Sequence, residues 1–226
     1  MASHASEEPR AADSTIAEAV AAFREGKPVL IHDFADREGE TDIVYPAESM
    51  TPEDVVRLRT DAGGLICTAI PDAVGAAFDL PLLDDALAHP SADGGDLGYD
   101  SRSSFSLPVN HRDTYTGITD NDRSLTIRKL AEATANPAGT DFASEFRAPG
   151  HVHVLRAAPG LLSERRGHTE LGVALAQEAG VTPAVVVCEM LDEETGEALS
   201  PADAQSYADR HGLVYLEGSA LVEQLG

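Results

Sequence analysis

Four short stretches of the chain hold residue types that can do chemistry together. The first is Asp36-Arg37-Glu38-Gly39-Glu40-Thr41-Asp42, four acids and an arginine wedged between two apolar runs. Carboxylate oxygens are what a hard ion such as Mg2+ prefers, and loops at strand ends commonly carry sites. The arginine can fix a sugar hydroxyl or a phosphate oxygen. The plainer alternative is a solvated loop in an acidic protein. The second stretch is Arg165-Arg166-Gly167-His168-Thr169-Glu170, at the opening of a helical pattern. Unpaired N–H groups at a helix start, a guanidinium, a glycine that admits close backbone approach and a threonine hydroxyl together make a phosphate cradle. His168 is a candidate metal ligand there. Alternatively, Thr169 is only an N-cap behind two surface arginines.

The third stretch is Pro149-Gly150-His151-Val152-His153-Val154, where histidines two apart on a strand face the same way. They are either partly exposed strand residues or a zinc pair, but zinc needs further Cys or His ligands and none is local. The fourth is Glu189, which ends the run AVVVCE. A carboxylate there is either the edge of a core or a desolvated group tuned toward general acid–base work.

Alternating strand and helix patterns position these stretches. STIAEAVAAFRE (14–25) predicts a capped helix stopped by Gly26, VLIHDF a first strand, and IVYPAES a second after the polar loop. Thr51-Pro52-Glu53-Asp54 predicts a helix start running to about Thr60, then a strand over GGLICTAI. Residues 72–100, rich in Asp, Gly and Pro, read as a helix fragment and a mobile loop. SFSLPVN, HVHVLRA, AVVVCEML and LVYLEG predict strands; DNDRSLTIRKLAEA, RRGHTELGVALAQEAG and SPADAQSYADRHG predict helices. Without a repeat or linker, the fold class is α/β (α+β mixed): a three-layer single domain over 14–226 with a mixed central sheet flanked by helices. Residues 1–13 read as a disordered lead-in, with neither the basic start nor the apolar stretch of a secretory signal.

Thirty-nine acidic residues against sixteen basic ones give a formal net charge of −23, and only Lys27 and Lys129 are lysines. Such a surface repels nucleic acid and anionic membranes, and no apolar run reaches the ~18 residues of a membrane span. The expectation is a cytoplasmic protein adapted to high salt, which screens its self-repulsion. The arginines at 37, 165 and 166 are then what reverses the field locally for an anionic ligand. Cys67 and Cys188 sit in apolar runs and read as buried reduced thiols.

Six stretches in order, DREGETD (36–42), GGLIC (63–67), TGITDNDRSLTIR (116–128), PGHVHVLRA (149–157), RRGHTE (165–170) and CE (188–189), resemble the 3,4-dihydroxy-2-butanone 4-phosphate synthase family from about Ile16 to Leu225. The resemblance implies Mg2+-dependent conversion of D-ribulose 5-phosphate to L-3,4-dihydroxybutan-2-one 4-phosphate and formate, in riboflavin biosynthesis, with Mn2+ able to substitute. It implies Glu38 and His168 as metal ligands and His151 with Glu189 as the catalytic pair. Arg37 and Asp42 would contact the substrate. Arg165, Arg166, Gly167, His168 and Thr169 would line the phosphate end, with Glu40 and Cys67 supporting. It also implies a homodimer in which Thr116 reaches the phosphate, of its own or of the neighbouring subunit. Many members carry Glu-Asn-Glu-Gly-Asp where this chain has Glu38-Gly39-Glu40-Thr41-Asp42, so the acids persist while the turn residues differ. The chain also lacks the cysteines of the zinc-binding cyclohydrolase domain that follows in some members, which reads as a monofunctional form.

Two rivals stand beside this reading. One is another metal-dependent sugar-phosphate lyase or isomerase, separable by formate release. The other is a non-catalytic nucleotide-binding module, which would need a basic groove that two lysines scarcely supply.

Overall fold

The computed structural model describes residues 12–92, 98, 100 and 102–226. In chain order the elements are α1 (Ala12–Arg24), β1 (Val29–His32), β2 (Thr41–Pro46), α2 (Pro52–Arg57), β3 (Cys67–Ile70), α3 (Asp72–Ala77), α4 (Leu83–Ala86), β4 (Phe105–His111), α5 (Asp120–Ala135), α6 (Phe142–Glu145), β5 (Phe146–Arg156), α7 (His168–Ala179), β6 (Val185–Glu189), α8 (Pro201–His211), β7 (Val214–Glu217) and α9 (Gly218–Leu225). The strands form one mixed sheet in the order β4-β5-β3-β6-β2-β1-β7. β1 runs parallel to β7 and β3 to β5, and the other neighbours are antiparallel.

Strand alternation divides the core in two. Val29 and Ile31 of β1, and Val185 and Val187 of β6, pack with α1, α7 and α9. Leu30, Val186 and Cys188 face the other way, into the layer built on α2, α5 and α8. Side chains of period two on both faces make the three-layer arrangement expected of these apolar runs. Both cysteines are buried and unpaired, as expected.

Several boundaries differ from the sequence pattern. α1 begins at Ala12, so Ser14 lies inside it; the rest of the expected lead-in falls outside the described residues. β2 starts at Thr41, which takes Asp42 out of the polar loop and into the sheet. The helix from Thr51 has the expected capping box with Asp54 but widens into a π turn at Leu58–Ala62, closed by left-handed Gly63. β5 begins well before His151, at Phe146, and its pairing with β4 shifts register around Val109 and Asn110. That irregularity lets Pro149, which has no N–H, sit within a ladder. α9 had no start signal: Glu217 at its N-cap makes no side-chain capping bond. Of the expected loop over 72–100, residues 93–97 and 99 fall outside the described residues; α3 and α4 occupy its first part.

Candidate active site

The site lies at one end of the central strands, on the face covered by α7. Parity puts Asp33 beyond Ile31, Asp42 beyond Val44, Glu189 beyond Val187, and Cys67 itself, all on that face. Asp42 and Glu189 are Cα partners on neighbouring strands, as are Cys67 and Val187. A cavity of about 90 Å3 is lined here by Glu38, Asp42, Cys67, Arg165, His168, Thr169 and Glu189, with Arg102 to Phe105 as its far wall.

His168 is the first residue of α7 and is 6% exposed. Its Nε2 lies 3.1 Å from the carbonyl oxygen of Ile31. A carbonyl only accepts, so Nε2 carries the proton and donates, and Nδ1 is turned toward the acids. Nδ1 stands 3.5 Å from Asp42 Oδ1 and 3.7 Å from Glu38 Oε2. Burial works against charging this ring, but Asp42, Glu38 and Asp33 outweigh it and push its pKa up to about 9. Burial pushes Asp42 the same way, to about 8, against the pull of His168 and with Glu189 and Glu38 adding repulsion.

Asp42 Oδ1 is buried without a hydrogen-bond partner, which is costly unless something else satisfies it. Asp33, Glu38 and His168 can bring three ligand atoms within 4.8 Å of one another. An orphaned carboxylate oxygen beside an imidazole nitrogen and a second carboxylate fits a hard divalent cation, whose binding would displace the ring proton. Asp33, which the sequence reading passed over as a strand end, organises the loop. Its Oδ1 accepts from the Glu40 N–H at 3.1 Å and its Oδ2 from Arg37 Nη1 at 3.1 Å. Glu38 is held below its ordinary value because His168 and Arg37 outweigh its burial. Glu40 is held above, by burial and then by Glu38 and Glu189.

Glu189 Oε2 accepts the Leu65 N–H at 2.8 Å. A Cβ at Gly64 would fall 2.4 Å from that same oxygen, so the glycines of GGLIC make room for the carboxylate. Burial drives the Cys67 thiol well above its ordinary value, which leaves a neutral wall rather than a nucleophile.

The arginines are not bare. Arg165 pairs with Glu170 and Asp100, and Arg37 with Asp33 and Asp100, so neither offers uncompensated charge to an anion. Arg166 lies outside the cavity, with its guanidinium 4.3 Å over the Phe34 ring and 3.5 Å from Asp36. Thr169 lies within α7, whose N-cap is Gly167, so the simple N-cap alternative fails.

His151 stands apart from the cavity and is exposed, although it shares a strand face with His153, the partner of Cys67. Asn110 holds it: Asn110 Oδ1 accepts the His151 N–H at 2.8 Å, and the amide lies 3.2 Å from Nδ1. The bulged register between β4 and β5 creates this contact, and no spacing in the sequence announces it. Thr116 is in an exposed turn, its Oγ1 donating to Asp122 at 3.3 Å. Tyr115 and Ile118 beside it are 92% and 50% exposed.

Residues 17–224 match the family described as 3,4-dihydroxy-2-butanone 4-phosphate synthase. The protein of that name from Archaeoglobus fulgidus is 51% identical over 91% of this chain and 92% of its own. The one from Saccharomyces cerevisiae is 33% identical over 93% and 97%. A solved synthase from Candida albicans superposes with a TM-score of 0.78 at 32% identity, covering 93% of this chain and 97% of that one. A synthase crystallised with two magnesium ions gives 0.75 at 32% identity, over 92% and 95%. With matches along almost its whole length, the chain belongs to the 3,4-dihydroxy-2-butanone 4-phosphate synthase family.

Proposed function

We propose that the protein converts D-ribulose 5-phosphate to L-3,4-dihydroxybutan-2-one 4-phosphate and formate, with Mg2+ as its metal, in riboflavin biosynthesis. The observation that carries the reading is His168, whose Nε2–H is fixed on Ile31 while Nδ1 faces the partnerless oxygen of Asp42 and the Glu38 carboxylate. Glu38 and His168 would hold the ion, which when bound stabilises negative charge developing on the ketose oxygens. Mn2+ has the same preference for carboxylate and imidazole and would substitute.

Glu189 and His151 are assigned the proton transfers. Glu189 sits at the mouth of a buried strand, where it can take a proton from carbon beside the ketone. Asn110 fixes the orientation of His151 so that the ring can pass a proton at the other end of the reacting skeleton. Arg37 and Asp42 orient the sugar, and Glu40 and Cys67 complete the wall. Arg165, Gly167 and Thr169 receive the phosphate, whose binding energy at a distance orients the reacting carbons. Arg166 contributes only to the approach field.

The protein is further read as a homodimer. His151 is exposed in the isolated chain, and Thr116 lies between two exposed apolar side chains, Tyr115 and Ile118. A second copy covering that turn would enclose the histidine and bring Thr116 to a phosphate. No helix among the described residues is long and apolar enough to cross a membrane. We place the enzyme in a salty cytoplasm on the strength of its charge of −23.

The deciding experiment incubates the protein with ribulose 5-phosphate and Mg2+ and measures formate. One equivalent per sugar consumed is expected. Isomerised pentose phosphate without formate would favour a different lyase or isomerase.

A further inference from the structure

The proposed phosphate cradle already holds an anion of the protein's own. The side chains of Arg165 and Arg37 are 13% and 7% exposed, and each has one carboxylate fixed beside it, Glu170 and Asp33 respectively. Those two acids are anchored, because Glu170 also accepts the Ala158 N–H at 2.8 Å and Asp33 the Glu40 N–H at 3.1 Å. Further N–H groups of both guanidiniums converge on a single oxygen of Asp100. Arg37 Nη2 reaches it at 2.5 Å, Arg165 Nε at 2.7 Å and Arg165 Nη2 at 2.6 Å. Both guanidiniums lie against the start of α7, since a Cβ on Gly167 would come 2.5 Å from Arg165 Nη1 and 3.1 Å from Arg37 Nη1.

We infer that Asp100 is a tethered counter-anion that fills the phosphate cradle of the free enzyme and is exchanged for the substrate's phosphate. This rests on the reading of Arg165 and the α7 start as the phosphate end. Two buried guanidiniums without enough anionic partners are costly, and Asp100 removes that cost when no substrate is present. A ligand therefore gains only what it offers beyond a carboxylate held in place. A phosphate near its dianionic form brings about −1.5 to −2 charges and three acceptor oxygens, and exchange favours it. A halide or carboxylate brings a single charge and must also surrender its freedom, so exchange disfavours it. Asp100 is thus a specificity-determining residue, keeping salt anions and the released formate out of the cradle.

The test measures binding of inorganic phosphate to the whole protein by calorimetry, with chloride and formate as competitors. D100N should bind phosphate about tenfold more tightly than the native protein, the scale of losing one charge-assisted competitor. In D100N, chloride and formate should compete with phosphate; in the native protein and in D100E they should not. Weaker phosphate binding by D100N, or no change, would overturn the inference and leave Asp100 as a brace for the arginines. Should D100N fail to fold, the native protein decides. Phosphate should speed amide exchange at Asp100 and Arg102 if the carboxylate is displaced, whereas slowing or no change would count against displacement. R165M separates the two levels: phosphate binding as strong as native would sink the cradle reading itself. Lost binding in R165M with D100N unchanged would sink only the role of Asp100.

Discussion

The two ends of the proposed site are built by opposite means. At the α7 end, Asp33, Asp42, His168 and Glu170 are at most 6% exposed, and each has its position fixed by strand parity or by a backbone hydrogen bond. At the β4–β5 end, His151 is exposed and steadied by one amide, and Thr116 sits in a turn between projecting apolar side chains. The buried end draws its cluster of acids and His168 from one chain, whereas the exposed end is the part that a second copy would cover. Preorganisation is concentrated where charge must be held in low dielectric, and the histidine proposed for proton transfer is left where association can still shape its surroundings.

The sharpest way to break this contrast is at the buried end. The double variant E38A/H168A should lose about a thousandfold or more in formate release, and added Mg2+ should not rescue it. Activity within tenfold of native would remove the metal assignment. Next comes E189Q, which keeps the shape and the acceptor oxygen for Leu65 but cannot take a proton. Its maximal rate should fall at least ~100-fold with substrate affinity retained. A change confined to affinity would make Glu189 a binding residue.

At the exposed end smaller effects are expected. N110A leaves the His151 ring in place but unsteadied, and should cost about 10- to 100-fold in rate, as loss of an orienting partner does. A rate equal to native would mean that the histidine is positioned by something other than Asn110. Y115D places a charge on the proposed contact surface, so sedimentation should show a monomer whose activity recovers with concentration. A dimer of undiminished stability would move the interface elsewhere. The smallest effect concerns the whole surface. With a Debye length of about 10 Å at 0.1 M and about 3 Å at 1 M, raising KCl from 0.1 M to 2 M should raise the melting temperature by several degrees. A flat melting profile would make the acidity incidental.

Most of the strands and long helices were legible because their apolar periods are regular and their caps explicit, as at Thr51 and Ser200. The acidic loop, the α7 entrance and Glu189 were legible because unusual residue types cluster there. What escaped was set by tertiary geometry. Asp33 looks like any strand-end acid until its two oxygens are seen holding Glu40 and Arg37. Asn110 becomes significant only through a register shift that depends on both β4 and β5. Arg166 was credited to the site by adjacency, yet the turn into α7 sends it over Phe34 while its neighbour goes inward. Asp100 could not be found by spacing at all, since its partners lie far on either side of it in the chain.

The strand order has a consequence for how the protein comes into being. β1 is bordered by β2 and by β7, with Val29 beside Val214, so one of the earliest strands to be made waits for the last one to complete its ladder. Asp42 likewise waits for Glu189. Loop closure over most of the chain must precede these contacts, which makes folding slow by topology alone. A nascent chain leaving the ribosome therefore carries the open β1 edge, a template for mispairing, until nearly the whole polypeptide has emerged. Catalytic competence arrives with that final pairing, so an interrupted translation product of this protein is a chaperone client rather than a partly active enzyme.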